Sequence, residues 1–135
     1  MNFDDVKDFH KKFGLLAYDT PGLLTHRKLK ERVEFLQEEL NEFVEGCARQ
    51  DLAEQADALV DLVYVAMGTA AMLGLPWEVL WDDVQRANMS KVRGVTHRGH
   101  AVDVTKPAGW IGPQTHQILR DFGFNPTAEE RDDPQ

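Results

Sequence analysis

The segment from Leu52 to Met67 is apolar on nearly every side of a helix, and its acidic residues, Glu54, Asp57 and Asp61, fall on one narrow stripe. Positions three, four and seven apart share a helical face. A helix of this kind has to be covered on several sides, so the rest of the chain is arranged around it. Asp51 is placed to cap its start, and Gly74 to stop it after Leu73. One chain of 135 residues offers few other helices as cover, so a partner subunit is expected.

The segment before it is a second long helix, expected from Thr25 to Gly46, with Leu29, Val33, Leu36, Leu40, Phe43 and Cys47 recurring every three or four residues. Glu39 and Glu42 fall on the flank of that stripe, beside Phe35. Between Val33 and Gln85 the only Lys or Arg is Arg49. Two carboxylates about 5 Å apart repel by roughly 3 kcal/mol at an effective dielectric near 20. Two acid combs on facing helices with so little basic company therefore call for an external cation. Glutamates alone are ordinary on helix surfaces. Two aspartates and a glutamate on the single polar seam of an apolar helix go against local preference, as functional sites do.

The remaining elements are shorter. Phe3, Val6, Phe9, His10 and Phe13 make an amphipathic helix ending near Gly14, with its aromatics in the core, and Pro21-Gly22 marks a turn. Pro76 opens a further helix to about Met89. Beyond Val92, glycines, prolines and short β-branched pieces at Val95-Thr96 and Val102-Asp103-Val104 read as a loop or small hairpin. A short helix from Pro113 to about Phe122 follows, and Thr127 to Gln135 reads as a flexible acidic tail. The expected fold is all-α, a bundle of about four main helices in one domain over residues 1–126, assembling as a dimer or tetramer, with an irregular C-terminal loop region.

A net charge of −8 argues against a nucleic-acid partner. The single cysteine, Cys47, permits no intrachain disulfide and fits a reducing cytoplasm. The charge-free run from Leu62 to Trp77 is shorter than the roughly 20 residues of a bilayer span, so no membrane association is expected. Acidity does not exclude a phosphorylated ligand, because Mg²⁺, with Mn²⁺ as a substitute, prefers carboxylate oxygens and completes its shell with substrate phosphates. With the long helices antiparallel, Glu39 and Glu42 would face Glu54 and Asp57, with Asp61 one turn further on. Glu38, beside the pair, could take a proton from an attacking water as general base.

The strings Glu38-Glu39-Leu40-Asn41-Glu42 and Glu54-Gln55-Ala56-Asp57 resemble the E-E-x-x-E and E-x-x-D pattern of the all-α nucleoside triphosphate pyrophosphohydrolases, the MazG-like group that includes dimeric dUTPases and phosphoribosyl-ATP pyrophosphohydrolase. The likeness runs on through Asp57 to Val65, Gly68-Thr69-Ala70, Asn88-Met89-Ser90-Lys91, and Lys106-Pro107 with Trp110 and Pro113. It implies Mg²⁺-dependent cleavage of a nucleoside triphosphate between the α- and β-phosphates, giving a monophosphate and pyrophosphate. Glu39, Glu42, Glu54 and Asp57 match metal ligands, and Glu38 matches the base. Asn88 and Lys91 match substrate contacts, while Lys106 and Trp110 belong to a loop that can close over substrate or a neighbouring subunit. Asp61 lies outside the minimal motif, either a direct ligand or a residue behind the ligands. The resemblance also implies a dimer or tetramer.

Two other readings stand beside nucleotide clearance or dUTPase-like activity. One is the phosphoribosyl-ATP pyrophosphohydrolase of histidine biosynthesis, ranked lower because the region after Lys91 fits the nucleotide-clearing branch better. The other is a non-catalytic helical oligomerisation module. His97 and His100, a loop pair without carboxylate or cysteine company, are not expected to fix a metal.

Overall fold

A computed structural model of the protein describes residues 2–94 and 103–131. Among these residues there are five helices and one short hairpin: α1 (Asn2–Lys12), α2 (His26–Ala48), α3 (Leu52–Met72), α4 (Trp77–Met89), β1 (Val92–Gly94), β2 (Asp103–Thr105) and α5 (Thr115–Asp121). The fold is all-α, as the periodicity implies. His97, His100 and the β-branched piece at Val95-Thr96 lie outside the described residues, as does Val102. The chain divides into two compact units, Met1–Leu75 with Gly123–Gln135, and Pro76–Phe122. The division falls between Leu75 and Pro76, just past the α3 stop.

In the first unit α2 and α3 form the main hairpin. Thr25 caps α2 by accepting from the Lys28 N–H at 3.3 Å, and Asp51 caps α3 by accepting from the Glu54 N–H at 3.1 Å. The connection is Arg49-Gln50-Asp51, with Gln50 in the left-handed region at φ 53°. The two helices run antiparallel. The Gln55 amide donates to the Gly46 carbonyl at 3.2 Å, and the Arg32 guanidinium to the Val65 carbonyl at 3.0 Å. Gly46 permits the close approach, since a Cβ there would lie 3.0 Å from the Gln55 backbone nitrogen.

The face of α2 turned to α3 carries Glu39 and Gly46, both buried, with Leu36 and Phe43 half-buried. Val33 and Leu40, expected on the core stripe, are exposed, as are Val44, Leu59, Val60 and Val63. α2 has more apolar residues than one neighbour can cover, and the register places Glu39, rather than Leu40, on the seam. The core of the unit is Phe3, Val6, Leu24, Ala58, Val65, Ala70, Ala71 and Met72.

The segment expected as a free tail from Thr127 is tied down at Arg131. Its guanidinium donates to the carbonyls of Thr20 at 2.6 Å, Gly22 at 3.1 Å and Leu73 at 3.0 Å. It also lies 3.8 Å over the Tyr18 ring. Composition marks this stretch as polar, but one planar five-donor group suffices to collect carbonyls left over at a helix end. Gly74, at φ 68°, closes α3, and a Cβ there would run into the Thr20 carbonyl.

In the second unit Asp83 of α4 accepts from the Gln114 N–H at 2.6 Å and from Arg86 Nε at 2.9 Å. Arg86 in turn donates to the Gly112 carbonyl at 3.0 Å. These bonds to the charged form hold the Asp83 carboxyl below its usual range, the Gln114 N–H being the main cause. The hairpin pairs Val92 with Thr105 and Gly94 with Asp103.

Candidate functional site

The register of the α2/α3 hairpin decides which acids meet. With Gly46 opposite Gln55 and Arg32 opposite Val65 and Thr69, Glu39 stands level with Asp61. One ligand oxygen each from Glu39, Glu42 and Asp61 lie within 4.8 Å of one another. Glu39 sits on the seam at 9% exposure, while Glu42 and Asp61 are open to solvent.

The other two expected ligands are placed differently. Glu54 is seven residues before Asp61, about 10 Å along the helix axis, at the level of Gly46. Both of its carboxylate oxygens accept from Arg49 Nη1 at 3.2 Å. Arg49, the one cation between Val33 and Gln85, is thus committed at the hairpin end, away from the three-acid group. Asp57 is exposed and stands one turn from Asp61, outside that group. The sequence shows the acid stripe on α3 but not how far α3 is slid against α2. That offset brings Asp61 of the α3 stripe into the three-acid group with Glu39 and Glu42. Glu38 is exposed next to Glu39 on α2.

The electrostatics of the group are one-sided. Burial raises the Glu39 carboxyl above its usual range, and a hydrogen bond with Glu42 and repulsion from Glu42, Asp61 and Glu38 push it the same way. Glu39 Oε2 is buried without a hydrogen-bond partner among the described residues. A buried acceptor in that state carries a desolvation penalty, which a cation removes. Three carboxylates with no basic side chain among them are hard oxygen donors suited to Mg²⁺ or Mn²⁺, which take few protein ligands and keep water or phosphate in the remaining positions. The residues present therefore fit a divalent cation held by Glu39, Glu42 and Asp61.

A second feature lies on the same face of α2. Lys28, Arg32, Phe35, Glu39 and Glu42 follow one another at intervals of four and three residues, a single helical stripe. The first three of these line a cavity of about 360 Å³ together with His10 and Met72. Neither Lys28 nor Arg32 stands out in the sequence, because a basic residue in the first turns of a helix reads as solvated. The signal was present in the spacing, Arg32 being seven residues before Glu39.

The expected substrate contacts from the later part of the chain gather within the second unit. Lys91 Nζ lies 5.5 Å and Lys106 Nζ 5.0 Å from the centre of the Trp110 ring. The Trp110 indole donates to the Ala87 carbonyl at 2.8 Å. Asn88 is exposed at the end of α4, its carbonyl accepting from the Lys91 N–H at 3.2 Å. Trp77 and Trp81, with ring centres 6.4 Å apart, pack on each other along α4.

Compared with known families, residues 6–88 match the model described as phosphoribosyl-ATP pyrophosphohydrolase (PRA-PH). No curated protein matches significantly. The matched stretch contains α2 and α3 whole, and with them all three clustered carboxylates.

Proposed function

The chain belongs to the phosphoribosyl-ATP pyrophosphohydrolase family, within the all-α nucleoside triphosphate pyrophosphohydrolases and thus among hydrolases acting on acid anhydrides, and from that premise we propose that it cleaves the α–β phosphoanhydride of a nucleoside or deoxynucleoside triphosphate at the Glu39, Glu42 and Asp61 group. The observation that carries this reading is Glu39 Oε2, buried and unpartnered, inside a cluster of three acids that no side chain among the described residues neutralises.

When bound, a divalent cation, Mg²⁺ in the first instance, neutralises the polyphosphate and polarises the phosphoryl group under attack. The chain's own residues do the rest. Glu39, Glu42 and Asp61 fix the place where the phosphates are held, on a rigid pair of helices. Water attacks the α-phosphorus, a new P–O bond forms, the bond to the oxygen bridging the β-phosphate breaks, and a monophosphate and pyrophosphate leave. Glu38 takes the proton of the attacking water. Glu54 and Asp57, further along the α3 stripe, tune the local field.

Self-association belongs to the same proposal. Val33, Leu40, Val44, Leu59, Val60 and Val63 are exposed apolar residues on α2 and α3, more than an isolated hairpin leaves to water without use. We place the activity in the cytoplasm, where the single free thiol of Cys47, which is exposed, stays reduced. No single helix among the described residues is long and apolar enough to cross a membrane.

A second reading is favoured by the family match itself, namely hydrolysis of phosphoribosyl-ATP. The experiment is a pyrophosphate-release assay with Mg²⁺ on a panel of canonical nucleoside and deoxynucleoside triphosphates together with phosphoribosyl-ATP. Release from the triphosphates supports the leading reading, and turnover of phosphoribosyl-ATP alone replaces it with the second. Release from neither sinks both.

A further inference from the structure

The cavity at the start of α2 has a chemistry of its own. His10 is 4% exposed, yet it reaches from α1 into this cavity. Its Nδ1 lies 2.8 Å from the Leu16 carbonyl. A carbonyl only accepts, so Nδ1 carries the hydrogen, and in the Nδ1–H tautomer Nε2 is an acceptor. No partner for Nε2 is found among the described residues.

Nε2 lies near Gly68 of α3, where an added Cβ would be 2.9 Å from it and 3.0 Å from Arg32 Nη2. Gly68 therefore keeps open the space in which the imidazole and guanidinium tips come side by side. Arg32 uses Nε on Thr69 Oγ1 at 3.0 Å and Nη2 on the Val65 carbonyl at 3.0 Å. Two of its five N–H groups are thereby spent, and it remains a donor toward the cavity. Its guanidinium lies 5.2 Å from the centre of the Phe35 ring, which forms a flat apolar wall with Met72 and Leu16.

From this arrangement, and resting on the function proposed above, we infer that the His10, Arg32 and Phe35 cavity is the nucleobase pocket of the enzyme and that it selects bases presenting a lactam edge, a ring N–H beside a carbonyl. The ring N–H donates to His10 Nε2, the neighbouring carbonyl accepts from Arg32, and the ring plane lies on Phe35. Bases whose corresponding edge is a bare ring nitrogen beside an amino group put acceptor against acceptor at His10 and donor against donor at Arg32. A cavity of about 360 Å³ is of the size that takes small ligands. Placement agrees with the chemistry: Phe35 and Arg32 precede Glu39 on one stripe of α2 by one and two turns, about 6 and 10 Å. A nucleoside spans that interval, with its base at Arg32 and its phosphates at Glu39. A site that pairs buried polar groups with a substrate discriminates strongly against an analogue that leaves them unpaired.

The test uses the full-length protein in two arms. In the first, kcat/KM with Mg²⁺ is measured for dUTP, dTTP and dGTP against dCTP and dATP, in wild type and in His10→Ala. The ratio of dUTP to dCTP within one preparation does not depend on how much of it is folded. The lactam bases are expected to lead by at least about tenfold, and His10→Ala to cut that ratio by about tenfold, the effect of one buried hydrogen bond. In the second arm, binding of dUMP and dCMP is measured by calorimetry without any divalent cation. Wild type is expected to bind dUMP more tightly, and Gly68→Ala, which crowds His10 and Arg32, to lose the difference.

Turnover of all five triphosphates at similar rates overturns the pocket while leaving the phosphohydrolase reading intact, and an unchanged ratio in His10→Ala does the same. If wild type releases no pyrophosphate from any of them, the functional reading fails, and the monophosphate arm decides the pocket alone: equal or absent binding of dUMP and dCMP overturns it.

Discussion

Glu39 and Asp61 stand level with each other across the α2/α3 seam, and with Glu42 they bring three carboxylate oxygens to within 4.8 Å. The pairing depends on Gly46, whose missing side chain lets Gln55 approach and sets the slide of one helix on the other. The same slide carries Glu54 to Arg49 and away from the group.

The activity of substituted enzymes should follow this register rather than the order of acids along the chain. Glu39→Gln, Glu42→Gln and Asp61→Asn are each expected to lower kcat/KM on the order of 100-fold or more, since each removes a proposed ligand of the cation that would stabilise the transition state. Glu54→Gln is expected to stay within several-fold of wild type, because its loss frees only an exposed ion pair. A Glu54 effect as large as that of Asp61, measured by pyrophosphate release, would show that the ligand set is read wrongly.

The pH dependence of stability carries an unusual sign. Glu39 has its carboxyl raised above the ordinary 4.5 in the folded protein, so between the two values the folded state binds more protons than the unfolded one. Stability contributed by this group is therefore full below about pH 4.5 and falls as the pH rises through the folded value. In the absence of divalent cations, Glu39→Gln should melt at a higher temperature than wild type at pH 7, and the gap should close near pH 4. Adding Mg²⁺ should raise the wild-type melting temperature at pH 7 and leave that of Glu39→Gln unmoved. A Glu39→Gln protein less stable than wild type at pH 7 without metal contradicts this account of the site.

Much of the arrangement was legible in the sequence, and its failures share one cause. Thr25, Asp51, Gly74 and Pro76 are local signals, and each marks a boundary within a residue or two of the one observed. The acid stripe of α3 and the Glu39/Glu42 pair are legible as patterns within one helix. The offset between two helices is not, because it is settled by contacts such as Gly46 on Gln55 that lie nine residues apart in the chain. For the same reason Leu40 was expected in the core and Glu39 on its flank, whereas the seam took Glu39. The roles of Arg131 and Arg32 are not legible in the sequence for a related reason: each acts on backbone carbonyls remote in sequence, from Thr20 and Leu73 to Val65.

The exposed apolar face makes its own prediction. Val60 is 65% exposed and Val63 50%, on the side of α3 that borders a cavity of about 500 Å³ with Asn2, Val6 and Tyr64 of the first unit. A charge at either position costs little in an isolated chain but much between two apolar surfaces. Wild type is expected to sediment as a dimer or larger, and Val60→Asp to sediment as a monomer with helical circular dichroism unchanged. A monomeric wild type at micromolar concentration would remove self-association from the proposal.

The connection between the two long helices offers a test of the fold that leaves the acids alone. Gln50 holds φ at 53°, in the left-handed region, at the C-terminal side of α2, and its N–H reaches the Cys47 carbonyl at 3.1 Å. A residue with a Cβ loses roughly 1 kcal/mol there relative to glycine, which is why helix ends of this form favour glycine. Part of the gain from Gln50→Gly is returned as the greater freedom of glycine in the unfolded chain. The side chain of Gln50 is exposed, so little packing is lost. Gln50→Gly is therefore expected to stabilise the protein by up to about 0.5 kcal/mol, seen as a higher urea midpoint with an unchanged slope, and to leave kcat/KM as in wild type. A lowered midpoint would mean that the turn draws on the Gln50 side chain. A changed kcat/KM would mean that the hairpin end, with Glu54 and Arg49, bears on the carboxylate group two turns away.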